Sequence, residues 1–155
     1  MQIKTVRCHE NSEDITTVTL DTIDLAPPAD DEVQVSVKAC AVNFPDIVKI
    51  QARYQRKPPL PFAPGGEAAG DVIAVGRDVT NVEIGDKVIW GADYGSFTEA
   101  LNINARSVKP MPRAMDYAAA AAFQTTSLTA WVGLTCRGHL QPGEKLLVPG
   151  ATGGA

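Results

Sequence analysis

The first two thirds of the chain alternate short β-like segments with Gly- and Pro-containing turns. The segments are residues 3–7 (IKTVR), 14–20 (DITTVTL), 32–40 (EVQVSVKAC), 67–76 (EAAGDVIAVG), 86–90 (DKVIW) and 95–103 (GSFTEALNI). The clearest period of two sets Val33, Val35 and Val37 against Gln34, Ser36 and Lys38, which predicts a strand with one wet face. Many short strands separated by turn residues predict a barrel or a sandwich. One helix is expected in this part, residues 45–51 (PDIVKIQ), with Pro45 tolerated in a first helical turn.

The texture changes near Asp116. An alanine run, residues 117–123 (YAAAAAF), leads into residues 126–134 (TSLTAWVGL), where Leu128, Trp131, Val132 and Leu134 can share one helical face. The run itself reads as a packed helix. Residues 141–144 (QPGE) form a turn, and the apolar residues 145–149 (KLLVP) are expected as a short buried strand entering residues 150–155 (GATGGA).

Composition narrows the class without changing this picture. Of the 155 residues 45% are hydrophobic and 21% charged, ordinary values for a globular chain. The formal net charge is -4 and the 14 basic residues are scattered, so nucleic acid is not an expected partner. Cys8, Cys40 and Cys136 are odd in number and far apart, which favours neither a disulfide framework nor a zinc knuckle and fits a reducing cytoplasm. No apolar run approaches the ~20 residues of a membrane helix, and residues 1–8 lack the charged and apolar regions of a secretory leader. His9 and His139 are isolated and read as exposed structural residues.

A strand running into a glycine-rich turn is the first part of a dinucleotide fingerprint, in which small residues let the backbone approach a pyrophosphate seated on the next helix. By itself this fragment is compatible with an ordinary loop. It gains meaning beside residues 39–46 (ACAVNFPD), 61–76 (PFAPGGEAAGDVIAVG) and 82–90 (VEIGDKVIW). In this order and spacing the chain resembles the medium-chain dehydrogenase/reductase superfamily, most closely the zinc-free quinone oxidoreductase and enoyl reductase branch. The resemblance implies a mainly β, GroES-like irregular barrel over residues 1–115. It implies that residues 116–155 are connecting helices and the start of an incomplete Rossmann domain. The chain is accordingly expected to be the N-terminal portion of a longer enzyme, inactive by itself and weak in binding NADPH.

The resemblance also assigns roles. The whole enzyme is expected to pass hydride from NADPH, or alternatively NADH, to a quinone, enone or similar carbonyl, and to form a homo-oligomer. Zinc-dependent members carry Cys and His where this chain has Asn43 and Gly66, so too few ligands remain for a catalytic zinc and none is expected. Asn43 has the donor and acceptor that suit a carbonyl, and Asp46, one helical turn later, has a carboxylate that can hold a water, a ribose hydroxyl or a positive partner, so both are candidate catalytic residues; equally, Asn43 can end a strand and Asp46 cap the helix. Tyr54 either covers the cleft or packs on the prolines that follow it. Glu67 is expected as a carboxylate bonded to backbone or Arg rather than as a relic of a metal shell. Thr129 matches a position against the nicotinamide, with a back-bond to a helix carbonyl as the plainer reading. Gly150, Ala151, Thr152, Gly153 and Gly154 would form the phosphate turn. Two rivals stay open: a relative of the zinc alcohol dehydrogenases, and a binding module without catalysis.

Overall fold

The computed structural model describes residues 1–150. Strands β1 (Gln2–Arg7) and β2 (Thr19–Asp24) form an antiparallel hairpin in the register Ile3↔Ile23. Strands β3 (Glu32–Cys40), β4 (Glu67–Val75), β5 (Lys87–Gly91), β6 (Ala100–Asn104) and β7 (Val108–Pro110) form a second antiparallel sheet in the order β6-β3-β4-β5-β7. Isolated bridges, Thr5↔Thr98 and Cys8↔Phe62, join β1 and the residue after it to segments outside the larger sheet's strands. Among the described residues the two sheets do not close into one continuous ladder. Mainly β architecture was expected from the period-two segments, and it is what the chain forms.

The core lies inside the larger sheet, where Val33, Val35, Ala68, Val72, Val88 and Trp90 are almost wholly buried. Trp90 carries the one polar atom that this apolar cluster must satisfy within its indole, and its Nε1 donates to Oγ of the buried Ser96 at 3.1 Å. Gln34 departs from the expected wet face of β3: it is buried, and its amide donates to Ala26 O at 3.0 Å and Asn102 Oδ1 at 2.9 Å. A polar residue is tolerated there because both donors are used.

Three short helices follow the strands or interrupt them. Helix α1 (Phe44–Ile50) lies between β3 and β4, and α2 (Tyr117–Ala121) packs Ala120 and Ala121 against Ala69 and Ile89. Asp116 caps α2 by accepting the Ala119 N–H at 2.8 Å, and the Tyr117 hydroxyl donates to Asp71 Oδ1 at 2.5 Å. Helix α3 (Phe123–Trp131) buries none of its residues and continues into a π-helical turn, Val132–Arg137. The alanine run therefore packs as expected, whereas Leu128 and Trp131 remain 60% and 57% exposed.

Four expectations need correction. Residues 15–17 form a 3-10 turn, because Asp14 Oδ1 accepts the N–H and hydroxyl of Thr16, and the strand begins only at Thr19. The segment from 95 onward becomes regular only at Ala100. A further strand, β7, was not foreseen; Pro110 ends a segment too short to show a period. Residues 145–149 are exposed and form no strand, since an extended segment needs a neighbouring ladder and none of the described residues offers one.

Strand β4 limits what can occupy its middle. A Cβ on Gly70 would sit 2.2 Å from the backbone oxygen of Ser36 on β3, so Gly70→Ala must push the two strands apart. Urea unfolding of Gly70→Ala is expected to show a loss of about 3 kcal/mol or more. Unchanged stability would mean that β3 and β4 are not held at this separation.

Candidate functional site

Strand β3 ends at Cys40 and the chain enters α1 through Asn43, whose backbone is extended, as at many helix N-termini. Asp46, the third residue of the helix, turns back so that Oδ2 accepts the Asn43 N–H at 2.9 Å, while its Oδ1 accepts the Gly65 N–H at 3.2 Å. Asp46 is only 2% exposed, and backbone donors hold both of its oxygens. The capping alternative for Asp46 is the geometry observed.

Glu67 opens β4 and is 1% exposed. Its Oε1 accepts from Asn43 Nδ2 at 2.9 Å, and its Oε2 accepts from the Thr125 N–H in the first turn of α3 at 2.8 Å. One carboxylate therefore ties the end of β3 to α3. Ala122, the residue at the start of α3, supplies no side-chain cap, so Glu67 supplies one from across the fold. The expected bond from Glu67 to backbone is present; its link to Asn43 lay beyond the sequence reading.

Cys40 shares this environment and donates its thiol to the backbone oxygen of Glu67 at 3.1 Å. Burial, with the negative charges of Asp46 and Glu67 adding to it, pushes the thiol up from 9.0 to about 12. The folded chain thus holds this proton more tightly than the unfolded chain. The resulting stabilisation is complete below pH 9.0 and is lost as pH rises towards about 12.

Beside these residues lies an open cleft of about 400 Å³, lined in part by Gly66, Gly91, Asp93, Gln124, Thr125 and Leu128. A Cβ at Gly66 would stand 3.4 Å from Ala92 O and 3.8 Å from Asp46 Oδ1, so the absence of a side chain leaves space next to the cleft. Asn43, Asp46 and Tyr54 do not line it. Asn43 reaches it at one remove, since Glu67 follows Gly66 in the chain and binds Thr125. Among the described residues no group of three or more His, Cys, Asp or Glu side chains is arranged to hold a metal ion.

Tyr54 is placed by Lys49, whose ammonium lies 5.0 Å from the ring centre and donates to the backbone oxygen of Asp93. Arg56 pairs with the Asp93 carboxylate at 2.9 Å, so the loop carrying Tyr54 is fastened to one wall of the cleft. Lys49 is 5% exposed, a burial that the sequence did not signal because a lysine in a short helix reads as solvated. Thr129 is exposed on α3 and its hydroxyl donates to Thr125 O at 2.6 Å, the plainer of its two readings. Gly150 has φ of +72°, while Ala151, Thr152, Gly153 and Gly154 lie outside the described residues. Thr129 and the 43–46–67 cluster are joined through Thr125. No helix among the described residues is long and apolar enough to cross a membrane.

Known proteins resemble this chain in sequence and fold. Residues 29–113 match the alcohol dehydrogenase GroES-like domain. The quinone oxidoreductase-like protein 2 homolog of Nematostella vectensis is 37% identical over 123 residues, 79% of this chain and 34% of that protein. The crystal structure of human synaptic vesicle membrane protein VAT-1 homolog-like protein superposes with a TM-score of 0.90 at 32% identity, over 99% of this chain and 50% of that one. Escherichia coli quinone oxidoreductase complexed with NADPH gives 0.75 at 30% identity, over 84% of this chain and 40% of that one. The chain thus spans about a third of the length of the curated relatives it matches. With the order of its strands, the 39–46 and 61–76 motifs and the matched domain in agreement, the chain belongs to the alcohol dehydrogenase GroES-like domain family, on the quinone oxidoreductase and enoyl reductase branch of the medium-chain dehydrogenase/reductase superfamily.

Proposed function

We propose that the whole enzyme passes hydride from NADPH, with NADH as the alternative donor, to a quinone, enone or similar unsaturated carbonyl without a catalytic metal. The observation that carries this reading is the Asn43 amide, held by Glu67 at the position where zinc-dependent members of the superfamily place a cysteine. Gly66 stands at the second ligand position and has no donor atom in a side chain. The relatives named as quinone oxidoreductase-like support the reaction class.

A carboxylate only accepts, so Glu67 fixes the nitrogen of the Asn43 amide towards itself and leaves the second Nδ2 hydrogen to another partner. In this proposal that hydrogen is donated to the substrate carbonyl oxygen and stabilises the negative charge that grows there. The nicotinamide, when bound, supplies the hydride. Thr129 fits a carboxamide neighbour: its own hydrogen is committed to Thr125 O, which leaves oxygen lone pairs on an exposed helix face to accept an N–H. The phosphates are assigned to Gly150, Ala151, Thr152, Gly153 and Gly154 on the pattern of their sequence alone. The same reading places the enzyme in the cytoplasm as a homo-oligomer acting on a small molecule, with no membrane or nucleic-acid partner. Asp46 is assigned a positioning role that fixes the Asn43 backbone, and Tyr54, seated against the Lys49 ammonium, is assigned to cover the cleft.

Purified whole enzyme should oxidise NADPH in the presence of a benzoquinone or an alkyl enone, followed by nicotinamide absorbance. No turnover with either acceptor would sink the reading. The rate should be unchanged after dialysis against a strong zinc chelator, and a lost rate restored by zinc would favour a zinc alcohol dehydrogenase relative instead. In the whole enzyme Asn43→Ala should lower kcat by about 10²-fold, the order expected for losing one donor to a developing oxyanion. Its unfolding free energy should fall by about 1–3 kcal/mol, since Oε1 of the buried Glu67 loses its donor. An unchanged kcat at saturating acceptor would remove Asn43 from the reaction.

A further inference from the structure

We infer that Glu67 is a positioning residue that sets two things at once: which way the Asn43 amide faces, and where the first turn of α3 sits. The inference rests on the proposed role of Asn43 for its functional meaning, while its structural content stands on the two hydrogen bonds alone.

Glu67 is almost wholly buried and among the described residues no lysine or arginine is paired with it; its two oxygens are taken one each by Asn43 Nδ2 and the Thr125 N–H. Those donors belong to parts of the fold that are otherwise separate, since Asn43 precedes α1 and Thr125 lies 58 residues beyond Glu67. Helix α3 buries no residue completely and starts at an alanine with no side-chain cap, so beyond its junction with α2 the bond from Thr125 to Glu67 is a polar contact that seats its first turn. The Thr125 carbonyl in turn accepts the Thr129 hydroxyl, so the same link fixes the register of the residue assigned to the nicotinamide.

The chemical consequence follows from what a carboxylate lacks. With no hydrogen to donate, Glu67 can face only donors, and the Asn43 amide has one stable orientation beside it. Glutamine has nearly the same shape but opposite needs at its two ends. In Glu67→Gln the oxygen can remain on the Thr125 N–H, and the new NH2 group then faces Asn43 and turns its amide around. The substitution therefore separates the seat of α3 from the polarity of Asn43, which a purely structural role for Glu67 would not do.

The test uses the 155-residue chain, labelled with nitrogen-15, and needs no cofactor. In the unsubstituted chain the Asn43 side-chain amide should show two well-separated proton shifts, and the Thr125 amide should exchange slowly with solvent. Glu67→Gln should move the Asn43 pair back towards the separation of a free amide while Thr125 exchange stays within about threefold. Glu67→Ala should lose both signatures, with Thr125 exchange faster by about 10- to 100-fold, as expected for losing a hydrogen bond to a charged group. If Glu67→Ala does not fold, Glu67→Gln decides by itself. A Glu67→Gln spectrum with the Asn43 pair unchanged overturns the inference, as does Glu67→Ala with Thr125 still protected. These signatures do not depend on turnover, so a whole enzyme inert towards quinones and enones would refute the proposed reaction and leave this result standing.

Discussion

Strand β4 is covered on both faces, and the rest of the molecule is arranged around that constraint. Ala68 faces the cluster of Val33, Val35, Val88 and Trp90, while Ala69 faces Ile89 and the two buried alanines of α2. A strand pressed from two sides can carry only small residues where its neighbours come closest, which accounts for the succession Ala68, Ala69 and Gly70. It also delivers Glu67, immediately before them, into the interior, where its charge has to be met by donors from other elements.

The site is consequently an arrangement of two buried carboxylates satisfied by N–H groups rather than by cations. Asn43 serves both, giving its backbone N–H to Asp46 and its side-chain amide to Glu67. Hydrogen bonds of this kind leave the donor with little rotational freedom. The neighbouring Cys40 thiol shows the cost of the same charges for a group that would add another: burial first, then Asp46 and Glu67, keep its proton in place. A donor held in this way suits the role proposed for Asn43, because an oxyanion donor is effective when it does not have to reorient during the reaction.

Helix α3 differs from the sheets that precede it. The larger sheet places Trp90, Val33 and Val35 out of contact with water, whereas Leu128 and Trp131 lie open beside a groove formed with Phe123 and Lys109. Its hold on the body of the fold runs through α2 and through Glu67, a polar contact at one end, so its position is sensitive to a single side chain.

The sequence by itself determined the strands with a clean period of two and the turns between them, since alternation and Gly or Pro are local properties of the chain. It also determined a short helix near residues 45–51, which forms over Phe44–Ile50, and the absence of Cys and His at positions 43 and 66. Local competition misled it at residues 14–18, where the Asp14 side chain captured Thr16 before a strand could start. Residues 145–149 lack any such signal of failure, because whether an apolar run becomes a strand is decided by a partner rather than by the run. Tertiary structure alone decided the pairing of Glu67 with both Asn43 and Thr125, the burial of Gln34 and Lys49, and the place of Tyr54 under the Lys49 ammonium. Each of these depends on residues far apart in sequence meeting with matched donors and acceptors. Such meetings follow from the register of strands and the covering of β4, and periodicity within a segment carries no information about them.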